Sequence, residues 1–219
     1  MNKKLENYAV LVDFLAQVLG PNAEVVLHDV TTVDSSIVAI KNGHVSNRTV
    51  GMPATNLALK ILGDAGYAQK GYLVNYNGML ASGKHLKSST FYIKDEDGSI
   101  IGLICINIDQ SKLREARDVL NSLMNSLIGE ESQGLEFADP ANTEFFPRSV
   151  DELTRDTIDA ILGGYEAGGE IQLDEKMDLI RRLNAEGVFL IKGSVNRVAR
   201  ALNTSEPTVY RYLAKIKNE

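Results

Sequence analysis

Several residue types that would point to a particular chemistry are scarce in this chain of 219 residues. Its one cysteine excludes an internal disulfide, and its three histidines are too scattered to match the ligand spacing of a structural zinc site. The longest apolar stretch, residues 100–108, is about half as long as a membrane-spanning helix requires. No small-residue cleavage site follows the N-terminal lysines, which argues against a signal peptide. We therefore expect a globular cytoplasmic protein without a disulfide, a bound metal or a contact with membranes.

Motifs of catalysis are missing as well. The sequence has no glycine-rich phosphate loop after a predicted strand, no nucleophile elbow and no paired metal-ligand motif. Two glycine pairs, at 163–164 and 168–169, do not follow a strand and instead indicate a polar hinge. The sequence therefore predicts a protein that is not an enzyme.

The net charge of −6 is unevenly distributed along the chain. Residues 1–129 carry 12 basic and 12 acidic side chains, residues 130–180 carry 3 and 14, and residues 181–219 carry 8 and 3. An acidic protein with a basic C-terminal end is typical of a protein in which one small module binds a polyanion. A solvated basic surface would have the same charge, so the charge alone does not distinguish the two interpretations.

The first 129 residues predict a mixed α+β domain, because helical and strand periodicities alternate along them. Apolar residues three and four positions apart predict helices at 5–19, 55–62 and 113–128. Alternating or β-branched runs predict strands at 25–30, 36–40, 72–76, 88–94 and 99–108. Turn signals at Asn42-Gly43 and at 95–98 end two of these strands. We expect a five-stranded antiparallel sheet with flanking helices.

An acidic stretch that contains two prolines follows this domain and has the composition of a linker. After it, Ser149 and Glu152 form a capping-box pattern, which predicts a helix at 150–162. The sequence therefore predicts a domain at 1–129, an acidic linker at 130–148 and an all-α domain at 149–219.

The end of the chain has the spacing of a helix-turn-helix unit. A helix at 173–186 precedes a helix that Ser194 can cap, and Glu206-Pro207 opens a third. Ala199 is small enough for the crossing of the last two helices, and Asn203 tolerates the positive φ of a tight turn. The residues expected to close the small core are Leu202, Val209 and Tyr212.

The outer face of the third helix is expected to bind DNA, since its N-terminal half enters the major groove in this motif. Ser205 and Thr208 suit hydrogen bonds to phosphates or base edges, and Arg211 suits guanine or a phosphate. Arg197 and Arg200 on the preceding helix suit the DNA backbone. The candidate DNA contacts are Arg197, Arg200, Ser205, Glu206, Thr208, Tyr210, Arg211 and Lys215. An ordinary helical hairpin with a charged face is the alternative.

Two parts of the chain resemble known domains. Residues 187–195 and 208–213 resemble the C-terminal helix-turn-helix of the D-arginine utilisation repressor family. Residues 87–90, Gly98 and residues 101–109 resemble the signature of the YheO-like PAS domain that occurs in the same proteins. The resemblance implies a transcriptional regulator with a PAS sensor, and its relatives are described as regulators of D-amino-acid or related metabolism.

A PAS domain holds its ligand between the sheet and the helices, and polar residues in or beside apolar strands are the candidate contacts, because burial requires partners for them. These candidates are His28, Asn56, Tyr76, Ser88, Ser89, Thr90 and Asn107. A haem on a lone histidine and a flavin adduct at Cys105 are both disfavoured, since the isoleucine-rich strand indicates an unreactive core thiol. We expect no cofactor.

The sequence thus predicts a regulator in which a PAS-like domain senses a small molecule and a helix-turn-helix binds double-stranded DNA. The resemblance implies an amino-acid-related effector. We expect a homodimer or a higher even-numbered oligomer, because two helix-turn-helix units bound to symmetric DNA half-sites combine their binding energies. A PAS protein that signals through protein contacts, without binding DNA, is the alternative.

Overall fold

The computed structural model describes residues 2–128, 144–163 and 173–217. Most of the predicted linker and the predicted hinge glycines at 164, 168 and 169 lie outside the described residues. None of the helices within the described ranges is long and apolar enough to cross a membrane.

A mixed sheet of six strands forms the centre of the N-terminal part. The strands are β1 (Ala23–Asp29), β2 (Ile37–Lys41), β3 (Tyr72–Met79), β4 (His85–Lys94), β5 (Ile100–Asp109) and β6 (Glu144–Phe145). Their order is β2-β1-β5-β4-β3-β6, with antiparallel pairs throughout except for β6, which is parallel to β3. The five strands predicted from the sequence are all present.

The expectation of a five-stranded antiparallel sheet is wrong, because β6 adds a parallel edge strand. Glu144 pairs with Gly78 and Phe145 pairs with Met79. A strand of two residues carries no alternation of polar and apolar side chains, and its pairing depends on backbone groups, so its sequence cannot reveal it. β6 lies in the part of the chain that has the composition of a linker.

Eight α-helices lie in the described ranges. They are α1 (Glu6–Leu19), α2 (Asn56–Gly63), α3 (Ala65–Ala68), α4 (Ser111–Ile128), α5 (Val150–Leu162), α6 (Leu173–Ala185), α7 (Ser194–Ala201) and α8 (Glu206–Lys217). Every helix predicted from periodicity is confirmed. Only α3, a single turn, was not predicted. The predicted cap of α5 is also confirmed, since Ser149 Oγ accepts a hydrogen bond of 3.1 Å from the backbone N–H of Glu152.

The two faces of the sheet have different coverings. α1 packs against residues that alternate along β1 and β5, on the face that we call the outer face; the opposite face is called the inner face below. α2 packs on the inner face, where Leu57, Leu59 and Ile61 join the core that contains Val26 and Leu103.

The C-terminal helices, α5 to α8, form a second core and are called the helical domain below. Its fully buried apolar residues are Leu179, Ile180, Leu183, Val188, Val198, Leu202 and Val209. Two of its residues, Leu153 and Ile191, belong instead to the core on the inner face of the sheet. Lys60 of α2 also forms an ion pair of 2.9 Å with Glu186. The helical domain therefore packs directly against α2.

Candidate nucleic-acid interface and sensor site

α7 and α8 form the helix-turn-helix. Ala199 is buried in the same cluster as Leu202, Val209 and Tyr212, which confirms the predicted core. Asn203 adopts a φ of 46°, which confirms its predicted left-handed turn conformation. The backbone N–H of Thr204 then donates to the carbonyl of Ala199 at 2.8 Å and closes the turn between the helices.

The predicted capping role of Ser194 is wrong. Ser194 is the first residue of α7, and Gly193 precedes it with a φ of 79°. A capping side chain requires extended backbone just outside the helix, whereas left-handed Gly193 occupies that position and turns Ser194 into the core. The hydroxyl of Ser194 is buried and has no hydrogen-bond partner in the part of the chain that the structure describes.

The eight predicted DNA contacts lie on the accessible surface of the helix pair. Six of them are exposed, namely Arg200, Ser205, Glu206, Tyr210, Arg211 and Lys215, and Arg197 and Thr208 are half-buried. The hydroxyl oxygens of Ser205 and Thr208 lie 2.9 Å apart at the N-terminal end of α8. Arg211 lies over the ring of Tyr212, 5.5 Å from its centroid, so a buried aromatic residue orients this guanidinium.

Two of the charged predicted contacts also form an ion pair or a hydrogen bond within the protein. Arg197 forms an ion pair with Asp151 of α5. The carboxylate of Glu206 accepts a hydrogen bond of 2.6 Å from the side-chain amide of Asn196. Arg197 would therefore have to exchange a carboxylate for a phosphate, whereas Arg200 and Arg211 already face solvent. The sequence did not indicate either Asp151 or Asn196, because both contacts depend on how α5 and α8 meet α7.

A row of polar side chains crosses the inner face of the sheet. The register places Glu24 of β1 opposite Asn107 of β5, Asn107 opposite Ser88 of β4, and Ser88 opposite Tyr76 of β3. Directly paired residues on neighbouring strands point to the same face. All four residues are buried, which brings polar atoms together inside an otherwise apolar core.

Residues from the connection between β2 and α2, and Glu144 from β6, complete this row. We call the group of Glu24, Arg48, Thr55, Ser88, Asn107 and Glu144 the inner polar cluster. Asn107 Nδ2 donates to Glu24 Oε1 at 2.8 Å, and the hydroxyl of Ser46 donates to the other oxygen of Glu24. Thr55 Oγ1 donates to Glu144 Oε1 at 2.7 Å, and Arg48 donates to the carbonyl of Pro53.

Burial changes the ionisation of these groups. It raises the pKa of both the Glu24 and the Glu144 carboxyl, because the charged form loses water. Hydrogen bonds from Ser46 and Asn107 to Glu24 and from Thr55 and Tyr76 to Glu144, and then the Arg48 guanidinium, act in the opposite direction. Burial, together with the smaller effect of the charge of Arg48, lowers the pKa of His28 to about 3, so this imidazole is neutral. Burial also raises the pKa of the Cys105 thiol, which stays protonated.

Five buried side-chain atoms in this region have no hydrogen-bond partner among the described residues. They are Ser88 Oγ, Asn107 Oδ1, Glu144 Oε2, Arg48 Nε and the hydroxyl of Tyr92. The first three can accept hydrogen bonds, and we call them the open acceptors. Unpaired polar atoms are costly inside a protein, so a group of them marks a place where a ligand or solvent would supply partners.

The structure brings together four of the seven predicted ligand contacts: Tyr76, Ser88, Thr90 and Asn107. Tyr76 Oη lies 2.7 Å from Thr90 Oγ1, on the same face as Ser88 and Asn107.

The other three have separate structural contacts. Ser89 alternates to the opposite face, where its hydroxyl accepts from the N–H of Asn75 at 3.1 Å. His28 Nδ1 lies 2.9 Å from Ser36 Oγ, and Asn56 Oδ1 accepts from the N–H of Phe145 at 2.7 Å.

Sequence reasoning missed several members of the inner polar cluster. Glu24 alternates with Val26 and His28 along β1, so strand periodicity could have placed it on the inner face. Arg48 and Glu144 lie outside any periodic segment, and no local pattern could have indicated that they are buried.

Models of two domain families match the chain. The YheO-like PAS domain matches residues 1–125, and an HTH domain matches residues 154–214. The uncharacterized protein YheO of Escherichia coli (strain K12) is 31% identical over 98% of this chain and 85% of its own length. The transcriptional regulator DauR of Pseudomonas aeruginosa is 28% identical over 97% of this chain and 94% of its own length.

A comparison of structures also found a match to the Vibrio cholera VqmA–ligand–DNA complex. It covers 91% of this chain and 86% of that chain, at 13% identity and a TM-score of 0.28. A likeness this weak supports no inference about the protein.

Proposed function

This chain belongs to the YheO-like PAS domain family and carries a C-terminal helix-turn-helix domain, and we propose on that basis that it is a DNA-binding transcriptional regulator. The PAS-like domain, residues 1–129, senses a small molecule, and the helical domain, residues 149–219, binds an operator. The acidic segment at 130–148 joins them and also contributes β6, with Glu144, to the sheet of the PAS-like domain. The similarity to DauR, a transcriptional regulator, along nearly the whole chain supports this proposal. The proposal retains the cytoplasmic location that the sequence predicts and assigns no catalysis to the protein.

The exposed face of α8 is the observation that carries the proposal. Arg211 and Lys215 are exposed on α8, and the opposite side of this helix is buried in the core through Val209 and Tyr212. Ser205 and Thr208 add hydroxyl groups at the N-terminal end of α8, which also carries a partial positive charge. These features suit a recognition helix that enters the major groove of DNA.

Selection of bound duplexes from a random pool with the purified protein tests this function and reveals the symmetry of the site. Affinity for the selected duplex should then fall steeply as salt is added, because binding releases the counterions of DNA. A module that signals only through protein contacts would enrich no sequence in this selection.

Arg211→Ala is expected to weaken binding to the selected duplex by about 1 to 3 kcal/mol and to leave thermal stability nearly unchanged, because the side chain is exposed on the recognition helix. Fluorescence anisotropy titration measures the affinity. Lys112→Ala is the matched control, since it removes one positive charge from the exposed surface of α4, outside the helical domain. Equal affinities of the two variants would exclude Arg211 from the DNA contact.

The proposal includes a homodimer formed through α4. Leu113, Ala116, Leu120, Leu123 and Leu127 of α4 follow one another at alternating steps of three and four residues, and all five are exposed. This heptad spacing is the pattern with which a helix pairs with an identical helix in a coiled coil. Exposed apolar residues on α1, namely Val10, Phe14 and Val18, extend the surface available to a second copy.

Leu120→Lys is expected to convert the dimer to a monomer, because it places a charge at the centre of the helix pairing. Light scattering at micromolar concentration measures the mass. Ser122→Lys is the control, since Ser122 is exposed on the same helix but lies outside the heptad seam. A wild-type protein that is already monomeric, or a dimer in both variants, would contradict this pairing.

α2 is the proposed route by which a ligand acts on the helical domain. Its N-cap residue, Thr55, binds Glu144 of the inner polar cluster, and its Lys60 pairs with Glu186. A ligand that moves Glu144 would therefore shift α2 and, with it, the distance between the two helix-turn-helix units of the dimer. The expected effect on operator affinity is about 1 to 3 kcal/mol, as is typical of allosteric coupling.

A further inference from the structure

We propose that the inner polar cluster is a binding site for a primary ammonium group of the ligand. The inference rests on the proposed sensor function and deepens it, since it states which chemical group the sensor recognises. The open acceptors and the charge of the cluster support it.

The open acceptors match the hydrogen-bonding capacity of an ammonium group. An ammonium nitrogen has three N–H donors and accepts nothing, whereas Ser88 Oγ, Asn107 Oδ1 and Glu144 Oε2 can all accept. The amide of Asn107 is held in place because its nitrogen donates to Glu24, so its oxygen stays available. Glu144 is held in the same way, since Oε1 accepts from Thr55 and the Tyr76 hydroxyl interacts with the carboxyl, while Oε2 has no geometric hydrogen-bond partner among the described residues.

The charge of the cluster also favours a cation. Glu24 and Glu144 contribute two carboxyl groups, and Arg48 contributes one guanidinium that interacts electrostatically with both of them. His28 is neutral and therefore adds no positive charge. When both carboxyls are ionised, Arg48 compensates only one of them, and an ammonium group would balance the second.

The open acceptors suit a primary ammonium group better than a metal ion or a quaternary amine. Within the described residues, no group of three or more His, Cys, Asp or Glu side chains is placed to hold a metal. A quaternary ammonium has no N–H, so it could satisfy none of the open acceptors. The site should therefore discriminate between a primary amine and its N-trimethylated derivative.

Thermal unfolding of the full-length protein with a panel of primary amines tests the proposal. The panel contains n-butylamine, 1,4-diaminobutane and the common amino acids, with n-butanol and tetramethylammonium as controls. At least one primary amine is expected to raise the melting temperature by about 5 to 10 °C at 100 times its Kd. The trimethylated form of that amine should cause no increase. If no primary amine raises it, or if the trimethylated form acts equally, the proposal is wrong.

Glu144→Gln is the decisive variant, because it keeps the shape of the side chain and removes its charge. It should bind the active amine at least tenfold more weakly, whereas Glu96→Gln, at an exposed turn, should bind it as wild type does. Should Glu144→Gln fail to fold, Ser88→Ala removes one open acceptor and is expected to weaken the same amine. Unchanged binding by whichever of the two folds would overturn the proposal.

Operator binding separates this inference from the proposed function. A wild-type protein that selects a duplex yet responds to no primary amine would remain a DNA-binding regulator without the ammonium site. A protein that binds the amine through Glu144 but selects no duplex would retain the site and lose the regulator function.

Discussion

Gly187→Ala is expected to lower the free energy of unfolding by about 2 to 5 kcal/mol, because two costs combine at this residue. The first is conformational, since Gly187 has a φ of 73°, which L-residues rarely adopt. The second is steric, since an added Cβ would lie 2.4 Å from the carbonyl oxygen of Leu59 in α2. Denaturant titration of the full-length protein measures the loss.

Gly193→Ala is the matched control for this prediction. Gly193 has a φ of 79°, but nothing lies within 4 Å of the position that a Cβ would occupy. It should therefore show the conformational cost alone, about 1 to 2 kcal/mol. The difference between the two variants reports the contact between α2 and the helical domain. If both variants lose the same stability, the helical domain does not rest on α2 in solution, and the proposed route for the ligand signal is excluded.

Ala199→Leu is expected to destabilise the helical domain by about 1 to 3 kcal/mol or more and to abolish binding to the selected duplex. Ala199 is only 4% exposed, and the larger side chain would have to displace the core residues of α8. Circular dichroism during thermal unfolding and anisotropy titration measure the two effects. A stable variant that binds DNA would show that Ala199 does not lie at the helix crossing.

Ala201→Leu provides the control for helix propensity. Ala201 lies on the same helix two residues later and is exposed, so the same substitution should change stability by no more than about 0.5 kcal/mol. A loss as large as that of Ala199→Leu would indicate that the helix, and not its packing, is sensitive to leucine.

The helix-turn-helix was predictable from the sequence because its interactions are local. Ala199, Asn203 and Val209 lie within eleven consecutive residues, and their types suit the crossing, the left-handed turn and the core that the structure contains. The predicted strands were found for a similar reason, since each is long enough for its side chains to alternate between two faces. Periodicity and turn chemistry therefore determined which segments became helices and strands.

Pairing between strands decided which side chains share a face. The run Ser88, Ser89 and Thr90 looks like one polar group in the sequence, but alternation places Ser89 on the face opposite to the other two. The register between β1, β5, β4 and β3 then brings Glu24, Asn107 and Ser88 into one row. Sequence alone does not set this register, because it depends on which strands become neighbours.

Only the tertiary structure could bring the inner polar cluster together, because its members are far apart in the chain. Glu24 and Asn107 are separated by 83 positions, and Thr55 and Glu144 by 89. Glu144 reaches the cluster through a two-residue strand whose pairing uses backbone atoms, which every residue except proline provides equally. Side-chain patterns therefore determined the longer helices and strands of this protein, whereas long-range backbone pairing decided which of its charges are buried together.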